Sequence, residues 1–253
     1  MVTGFPSGGG RLMAASAETS SGPEMDLWRD FLTNQGKAIH KWTHYFPIYE
    51  RHFAPWRGRT LTFLEIGVAK GGSIDMWRRY FGPMAQIVGV DIDRKCKAHE
   101  AEGISVRIGD QSDTGFLQAV LDEFGVPDVV LDDGSHEMAH VGATFDFLYP
   151  QMGKNAVYMI EDLHTAYWPK FGGGLTEPTN FFNVAKGLVD KLNANHSLGR
   201  VEPDAFTRET FSISFYDSVL AIEKGHPAFR GAMEIAEGKG PTRRRPSRRP
   251  LGS

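Results

Sequence analysis

Residues 64–73 read LEIGVAKGGS, and this stretch decides the fold class of the chain. An apolar run, TLTFLEIGV, ends here in a glycine-rich turn, and the amphipathic segment GSIDMWRRYFG follows. Glycine permits the positive φ angles and close backbone approaches that a tight strand-to-helix turn requires. The stretch therefore predicts a β-strand that passes through a glycine turn into an α-helix.

The same alternation of strand and helix continues along the chain. The apolar runs QIVGVDID, ISVRIGD, VPDVVLDDG and NAVYMIED alternate with amphipathic segments, and FSISFYDSVLAIEK contains two apolar runs around a polar turn. Strands that alternate with helices form a parallel sheet covered on both faces. We predict an α/β fold with a mostly parallel sheet and an antiparallel strand near its C-terminal end.

The two ends of the chain differ in composition from its middle. Residues 1–23 are rich in Gly, Ser, Ala and Pro and predict a flexible N-terminal arm. Residues 24–58 contain two amphipathic stretches and predict a helical segment, and residues 59–230 hold the α/β domain. Arginines among prolines in residues 231–253 predict a basic flexible tail, with a weak phosphate- or nucleic-acid-contacting role as the alternative.

Composition excludes several classes of protein. The formal net charge of −3 argues against a chain that coats nucleic acid or an anionic membrane, so we expect neither partner. The single cysteine, Cys96, excludes an intrachain disulfide and favours a cytoplasmic location. We find no apolar run near the roughly 20 residues of a membrane span and no signal-peptide pattern.

Ligands of parallel sheets bind beyond the carboxyl ends of the strands, so the strand ends are the candidate sites. The first end offers Glu65, Gly67, Gly71 and Ser73. This spacing is not the G-x-G-x-x-G of dinucleotide-binding proteins, which disfavours a nicotinamide dehydrogenase. An acid two residues before the first glycine suits a cationic ligand better than a pyrophosphate.

The next two strand ends offer groups for a nucleoside. Asp91 ends the second strand and has the acceptor oxygens that ribose hydroxyls need. Asp110, Gln111 and Ser112 follow the third strand and supply the donors and acceptors that adenine needs, although Ser112 or Asp113 suits a helix N-cap equally well. Together the three ends predict S-adenosyl-L-methionine as the cofactor.

Carboxylates cluster at the fourth and fifth strand ends. Asp133 follows the fourth strand, and Glu161 and Asp162 follow the fifth. Neighbouring carboxylates repel one another, so their clustering implies a cation, and oxygen ligands favour a hard ion such as Mg²⁺. Alternation along the strand points Asp132 away from Asp133, so we expect Asp132 to be structural.

A histidine near these acids is the candidate general base. His136 lies three residues after Asp133, and its ordinary pKa suits removal of a proton from an alcohol. Asp133 and His164 are the alternative bases. His140, one helical turn after His136, is expected to be a packing residue.

Seven motifs in order resemble the mycinamicin-type macrolide sugar O-methyltransferases. They are KWTHYFPIYERHF, LEIGVAKGGS, GVDID, GDQSD, DDGSH, IEDLHTAYWPKFGGG and ISFYDSVLAIEKG, and they cover roughly residues 38–225. The resemblance implies a Rossmann-like class I methyltransferase fold and Mg²⁺-dependent methylation of a deoxysugar hydroxyl on a glycosylated natural product. It implies metal ligands at Asp133, Glu161 and Asp162, a base at His136 and a homo-oligomer.

The segment AYWPKFGGG predicts a flexible loop over the site. Its Tyr167 and Trp168 offer flat faces for a sugar or an aglycone, and we add Tyr49 and His164 as candidate substrate contacts. We expect Trp42 to lie in the core.

Three other functions fit parts of the pattern. A catechol or phenol O-methyltransferase also favours a metal and two adjacent hydroxyls. A non-catalytic subunit would bind S-adenosylmethionine without turnover, against which the acids and histidine argue. An iron hydroxylase needs two histidines and a carboxylate, which Asp133, His136 and His164 imitate only weakly.

Overall fold

The computed structural model describes residues 26–225, 233–236 and 239–243. The predicted N-terminal arm, residues 1–23, lies outside the described residues. The strands are β1 (Leu61–Ile66), β2 (Ala85–Asp91), β3 (Ile104–Ile108), β4 (Val129–Asp132), β5 (Ala156–Ile160), β6 (Thr210–Phe215), β7 (Leu220–Lys224), β8 (Met233–Ala236) and β9 (Lys239–Arg243).

An α-helix follows each of the strands β1, β3, β4 and β5, whereas β2 and β3 are joined by a 3-10 helix. The α-helices are α1 (Leu27–Leu32), α2 (Phe46–Phe53), α3 (Gly72–Phe81), α4 (Thr114–Phe124), α5 (Met138–Gln151), α6 (Phe181–Leu192) and α7 (Ala205–Glu209). Short 3-10 helices cover Thr43–Tyr45, Ala54–Trp56, Arg94–His99, Leu163–Tyr167, Pro169–Phe171 and Ala194–His196. None of the helices within the described residues has the length and apolar character that crossing a bilayer demands.

The main sheet has seven strands in the order β3-β2-β1-β4-β5-β7-β6. Strands β1 to β5 are parallel, whereas β7 runs antiparallel to β5 and β6 runs antiparallel to β7. The prediction of a mostly parallel sheet with an antiparallel C-terminal element is confirmed. Within residues 231–253, for which the sequence predicts a basic flexible tail, β8 and β9 pair as a small antiparallel sheet.

Each face of the sheet has its own hydrophobic core. On one face, aromatic side chains of α2 and α3, such as Tyr49, Phe53 and Trp77, pack on alternate residues of β1. On the other face, α4, α5 and α6 pack on the intervening residues, such as Leu64 and Ile66. Because strand residues alternate between faces, Glu65 belongs to the face that carries the N-terminal helices.

The N-terminal helical segment is more broken than its sequence pattern predicts. Residues 43–53 form a 3-10 turn followed by α2, because Pro47 at the start of α2 fixes the helical entry. Trp42 precedes the turn and is 49% exposed, so the prediction that it lies in the core is wrong.

The strand register brings three site segments to one edge of the sheet. Asp132 lies opposite Ile66 on one side and Ile160 on the other. The next residues continue the ladder, since the amide of Asp133 donates to the carbonyl of Ile66 and that of Glu161 donates to the carbonyl of Asp132. The carboxyl ends of β1, β4 and β5 therefore finish level with one another.

Asp132 is buried on the α5 face, as alternation predicts. Its carboxylate accepts hydrogen bonds from Gln111 Nε2 at 3.1 Å and from the Tyr158 hydroxyl at 3.2 Å. Burial raises the pKa of Asp132 to about 7, although both hydrogen bonds act in the opposite direction. The expectation that Asp132 is structural is confirmed.

Gly67 is the position where the packing of β1 against the end of β4 leaves no room for a side chain. Its φ is +96°, and a Cβ atom there would lie 2.0 Å from the carbonyl oxygen of Asp133.

We expect Gly67→Ala to lower the free energy of unfolding by more than about 3 kcal/mol, measured by urea denaturation. Gly58→Ala is the control, because Gly58 also has a positive φ but has open space, and it should lose only about 1 kcal/mol. Equal losses in the two variants would contradict the steric argument.

Asp132 should make stability depend on pH. Its pKa is higher in the folded protein than in the unfolded chain, so the stabilisation from its proton is complete at low pH and is lost as the pH rises from about 4 through about 7. Between pH 5 and pH 8, wild type should lose about 2 to 3 kcal/mol more unfolding free energy than Asp132→Asn. Urea denaturation at both pH values tests this. Parallel pH curves would contradict it, since Glu65 and Glu161 titrate in both proteins.

Candidate active site

A cavity of about 630 Å³ opens at the carboxyl ends of the parallel strands. Its volume falls within the range of small-molecule sites. One wall comes from residues 38–42, and the others come from the ends of β1 to β5. We call residues 37–42 the N-terminal strap.

The glycine turn after β1 forms one end of the cavity and is held by Asp91. One oxygen of Asp91 accepts hydrogen bonds from the backbone amides of Val68 and Ala69, both at 2.9 Å. Its other oxygen accepts one from the amide of Asp93 at 2.8 Å. Asp91 lines the cavity and also fixes the turn, so a ribose contact at Asp91 stays a prediction.

Close packing at the turn fixes the strap. A Cβ atom at Gly72 would lie 2.3 Å from the carbonyl oxygen of Ala38, so only glycine lets the strap run this close to the first turn of α3. Lys37 adds an ion pair to Asp75 at 3.2 Å. Gly67 and Ser73 line the cavity. Gly71 does not; it has a φ of +75°, is the N-cap of α3 and lies against the ring of His99.

Glu65 has a different environment from the one that we predicted. It is fully buried, accepts hydrogen bonds from Ser73 Oγ and Trp77 Nε1, and does not line the cavity. The cation that it faces belongs to the chain, because Lys41 Nζ lies 3.7 Å from Glu65 Oε1. The prediction of a direct contact between Glu65 and the cofactor is therefore corrected. Burial raises the pKa of Glu65 to about 7, and Lys41 counteracts this shift.

After β3, Asp110 and Gln111 line the cavity, and Ser112 supports Asp110. Asp110 lines the cavity, and its Oδ1 accepts hydrogen bonds from the amide and hydroxyl of Ser112. Ser112 itself does not line the cavity, and the N-cap of α4 is Asp113. Gln111 lines the cavity, but its amide nitrogen binds Asp132 and Thr144, and its oxygen accepts from the amide of Ser135.

Asp133, His136 and Asp162 meet on the opposite side of the cavity. Each offers one ligand atom, and these atoms all lie within 4.8 Å of one another. His136 Nε2 is 3.8 Å from Asp162 Oδ2, and the three side chains are partly exposed. Both His136 and Asp162 have positive φ angles, +58° and +52°, which non-glycine residues adopt rarely. The carboxylate oxygens of Asp133 and Asp162 suit a hard divalent ion such as Mg²⁺, whereas an imidazole nitrogen such as that of His136 suits softer transition metals.

Glu161 completes the cluster from a buried position. We call Asp133, Glu161 and Asp162 the acid cluster. Glu161 Oε1 accepts a hydrogen bond from the Tyr49 hydroxyl at 2.6 Å, and Oε2 lies 2.9 Å from Lys41 Nζ. Burial raises the pKa of Glu161, and Lys41 counteracts this shift. Tyr49 is fully buried, so its predicted substrate contact is wrong, and its role is to support Glu161.

Lys41 is the residue that joins the two halves of the site. Its ammonium nitrogen lies 2.7 Å from Asp133 Oδ2 and 2.9 Å from Glu161 Oε2, and the side chain is only 2% exposed. Burial alone would lower the pKa of Lys41, but Asp133, Glu161 and Glu65 together hold it well above its ordinary value. Lys41 is therefore a buried ammonium ion paired with three carboxylates.

A second network supports Asp162 and His164. The Tyr45 hydroxyl donates to Asp162 Oδ1 at 2.7 Å and also lies 2.9 Å from Ser218 Oγ. Ser218 Oγ lies 2.7 Å from His164 Nδ1 and accepts a hydrogen bond from the amide of His164. The turn between β6 and β7 thus holds one acid and one histidine of the site.

Aromatic rings line the rim beside His136. Trp42 and Trp168 are each about half exposed and pack edge-to-face on the two sides of His164, with centroids at 5.6 and 4.9 Å. Phe171 continues the band towards His136 at 6.3 Å. Tyr167 instead contacts Phe182, outside this band, with the two rings tilted by 34°.

Sequence reasoning did not identify Lys41, Tyr45 or Ser218 as parts of the site. The strap that carries Lys41 has no periodic pattern, and Tyr45 reads as one more aromatic residue of an amphipathic helix. One signal was available, because the excess of acids at the strand ends implies a cation, and Lys41 supplies part of that charge.

Comparisons with known proteins identify relatives of the chain. Demethylmacrocin O-methyltransferase of Streptomyces fradiae is 36% identical over 222 residues, which are 82% of this chain and 54% of that protein. Mycinamicin VI 2''-O-methyltransferase of Micromonospora griseorubida is 36% identical over 201 residues, 72% of this chain and 48% of that protein. The chain spans about half the length of the curated relatives that it matches. No family model matches the chain.

A solved structure agrees with these sequence matches. The MycE methyltransferase of the mycinamycin biosynthetic pathway, in complex with Mg, SAH and mycinamycin VI, superposes with a TM-score of 0.71 at 33% identity. The match covers 81% of this chain and 54% of that one. By sequence and by structure, the chain is a homologue of the sugar O-methyltransferases of macrolide and polyketide glycosides and has their class I methyltransferase fold.

Proposed function

We propose that the chain transfers a methyl group from S-adenosylmethionine to a sugar hydroxyl of a glycosylated natural product. The observation that carries the proposal is the meeting of Asp133, His136 and Asp162 in the same cavity as the glycine turn and Asp91. One side of the cavity thus offers acids and a histidine for a hydroxyl, and the other offers a nucleoside cradle. The curated relatives named above are sugar O-methyltransferases.

The residues around the glycine turn would hold the cofactor. Gly67 and Ser73 would lie beside its methionine end, Asp91 would accept hydrogen bonds from the ribose, and Asp110 and Gln111 would lie on the adenine side, since all five residues line the cavity. Gly71 and Ser112 would act indirectly, by shaping the turn and fixing Asp110. The cavity has room for a ligand of this size.

The acid cluster would hold Mg²⁺. Asp133 and Asp162 are the more accessible ligands, and Glu161 would contribute from behind them while shared with Lys41. When bound, the ion supplies charge that orients and polarises the substrate hydroxyl.

His136 would take the proton from the substrate hydroxyl at Nε2. Asp162 Oδ2, 3.8 Å away, would stabilise the resulting imidazolium. His164 is a weaker candidate for the base, because its Nδ1 is engaged by Ser218 and its ring is flanked by two indoles. Asp133 is the other alternative base.

The substrate sugar would lie at the rim of the cavity. Trp168, His164 and Trp42 would contact it, since their rings pack together and flat rings suit the apolar faces of sugars and aglycones. Tyr167 lies further along the same loop and would contact only a larger aglycone. A homo-oligomer remains our prediction, which light scattering on the purified chain would test.

The experiment that tests the function is a screen of glycosides with free sugar hydroxyls. Purified protein is incubated with S-adenosylmethionine labelled in its methyl group, Mg²⁺ and each glycoside, and products are identified by mass spectrometry. A labelled methyl group on a sugar oxygen is expected. Transfer to a catechol but to no glycoside would instead favour the catechol reaction, and cofactor binding without turnover on either class would favour a non-catalytic subunit.

Replacement of His136 should separate chemistry from binding. We expect His136→Ala to lower kcat by about 10²- to 10⁴-fold while the affinity for S-adenosylhomocysteine is unchanged, because a general base acts only in the chemical step. His164→Ala, measured in parallel, should lose less. A loss of Mn²⁺ affinity together with activity in His136→Ala would mean that the ring is a metal ligand and not the base.

Asp133 and Asp132 form a matched pair for testing the metal. Asp133→Asn should abolish both Mn²⁺ binding and methyl transfer, since it removes a charged ligand from the cluster. Asp132→Asn removes the adjacent carboxylate, which faces the other side of the sheet, and should retain Mn²⁺ binding. Full activity of wild type in excess chelator would contradict the metal site.

A further inference from the structure

We propose that Lys41 is a positioning residue that competes with the divalent ion: its ammonium group holds the acid cluster together and keeps the affinity for the ion low. This inference rests on the proposed metal site and extends it. A residue of the N-terminal strap would thus set the concentration of the divalent ion at which the site is filled.

The contacts of Lys41 are with the carboxylates that would bind the ion. Its Nζ lies 2.7 Å from Asp133 Oδ2 and 2.9 Å from Glu161 Oε2. A carboxylate oxygen that accepts a hydrogen bond from an ammonium group has less electron density to offer a metal ion. The two cations therefore share the same ligands.

The charge of Lys41 acts at short range and without solvent screening. Its side chain is 2% exposed, so water cannot reduce its field, and repulsion between cations a few ångströms apart is strong at such a position. Within the described part of the chain, no other lysine or arginine forms an ion pair with Asp133 or Glu161. The positive charge inside the cluster thus comes from Lys41.

The strap prevents Lys41 from moving away easily. The carbonyls of Lys37 and Ala38 pack against Gly72, where no Cβ atom would fit, and Lys37 pairs with Asp75. Asn34 adds a hydrogen bond from its side-chain nitrogen to the carbonyl of Lys37 at 2.9 Å. The backbone that leads to Lys41 is therefore anchored at residues 37 and 38, which keeps the ammonium group beside the acids.

The test compares the Mn²⁺ affinities of wild type and Lys41→Met, with free Mn²⁺ followed by electron paramagnetic resonance. Methionine keeps the length and apolar character of the side chain but removes the charge. We expect Lys41→Met to bind Mn²⁺ roughly tenfold more tightly or better, because a repelling charge is gone and both carboxylates are released. Its melting temperature should also rise more on addition of Mg²⁺ than that of wild type, since the ion replaces the missing counter-charge.

Lys37→Met is the matched control. It removes a lysine from the same strap, but the ammonium group of Lys37 binds Asp75, outside the acid cluster. Its Mn²⁺ affinity should stay within about twofold of wild type, because the charge that it removes is more exposed and screened.

If Lys41→Met fails to fold, the Mn²⁺ affinities of Lys41→Met/Glu161→Gln and of Glu161→Gln are compared instead. Lys41→Met/Glu161→Gln removes one charge of each sign, a change that burial tolerates better than an unpaired carboxylate. It should bind Mn²⁺ more tightly than Glu161→Gln alone. Equal or weaker binding on removal of Lys41, in either background, would overturn the inference. Wild type that binds no Mn²⁺ would overturn the proposed metal site itself.

Discussion

The ion pairs of one buried ammonium group are the constraint on which the site depends. Lys41 lies 92 residues from Asp133 and 120 residues from Glu161 in sequence, yet it binds both and also faces Glu65. Carboxylates at these depths would be costly without a partner, because desolvation penalises their charged forms. The ends of β1, β4 and β5, together with the strap, therefore meet around one cation. The register of the strands and the glycines of the turn are the means by which the backbone comes close enough.

Two adjacent aspartates illustrate how the sheet divides structural from chemical roles. Asp132 and Asp133 are neighbours in sequence, but the pleat of β4 sends the first towards Tyr158 and Gln111 and the second towards Lys41 and the cavity. Asp132 is hydrogen-bonded to neutral partners and has a pKa raised by burial. Asp133 is partly exposed and forms an ion pair with Lys41. The network around Asp132 also holds Gln111, which in turn fixes the amide of Ser135. The polar layer beneath the site thus keeps the residues above it in place.

The local sequence pattern predicts much of the fold, and what it fails to predict depends on tertiary contacts. Alternating apolar and amphipathic runs predict the parallel strands and their helices, and the rule that ligands lie at strand ends predicts Asp91, Asp110, Asp133 and Asp162 at one edge. Which side chains reach the cavity depends on the tertiary packing, and sequence misjudged it for Glu65, Tyr49 and Trp42. Long-range partners such as Lys41 and Ser218 lie in a strap and a turn whose local sequence has no period, so no local signal brings them to the acids.

The turn between β6 and β7 has a consequence for co-translational folding. Ser218 closes the hydrogen-bond chain through Tyr45 to Asp162, and β7 completes the sheet beside β5. A nascent chain that has emerged only as far as Asp162 has all three acids and Lys41 but lacks this support. This support for Asp162 therefore comes from the turn between the last two strands of the main sheet to be synthesised, so the site acquires it only when the seven-stranded sheet is complete.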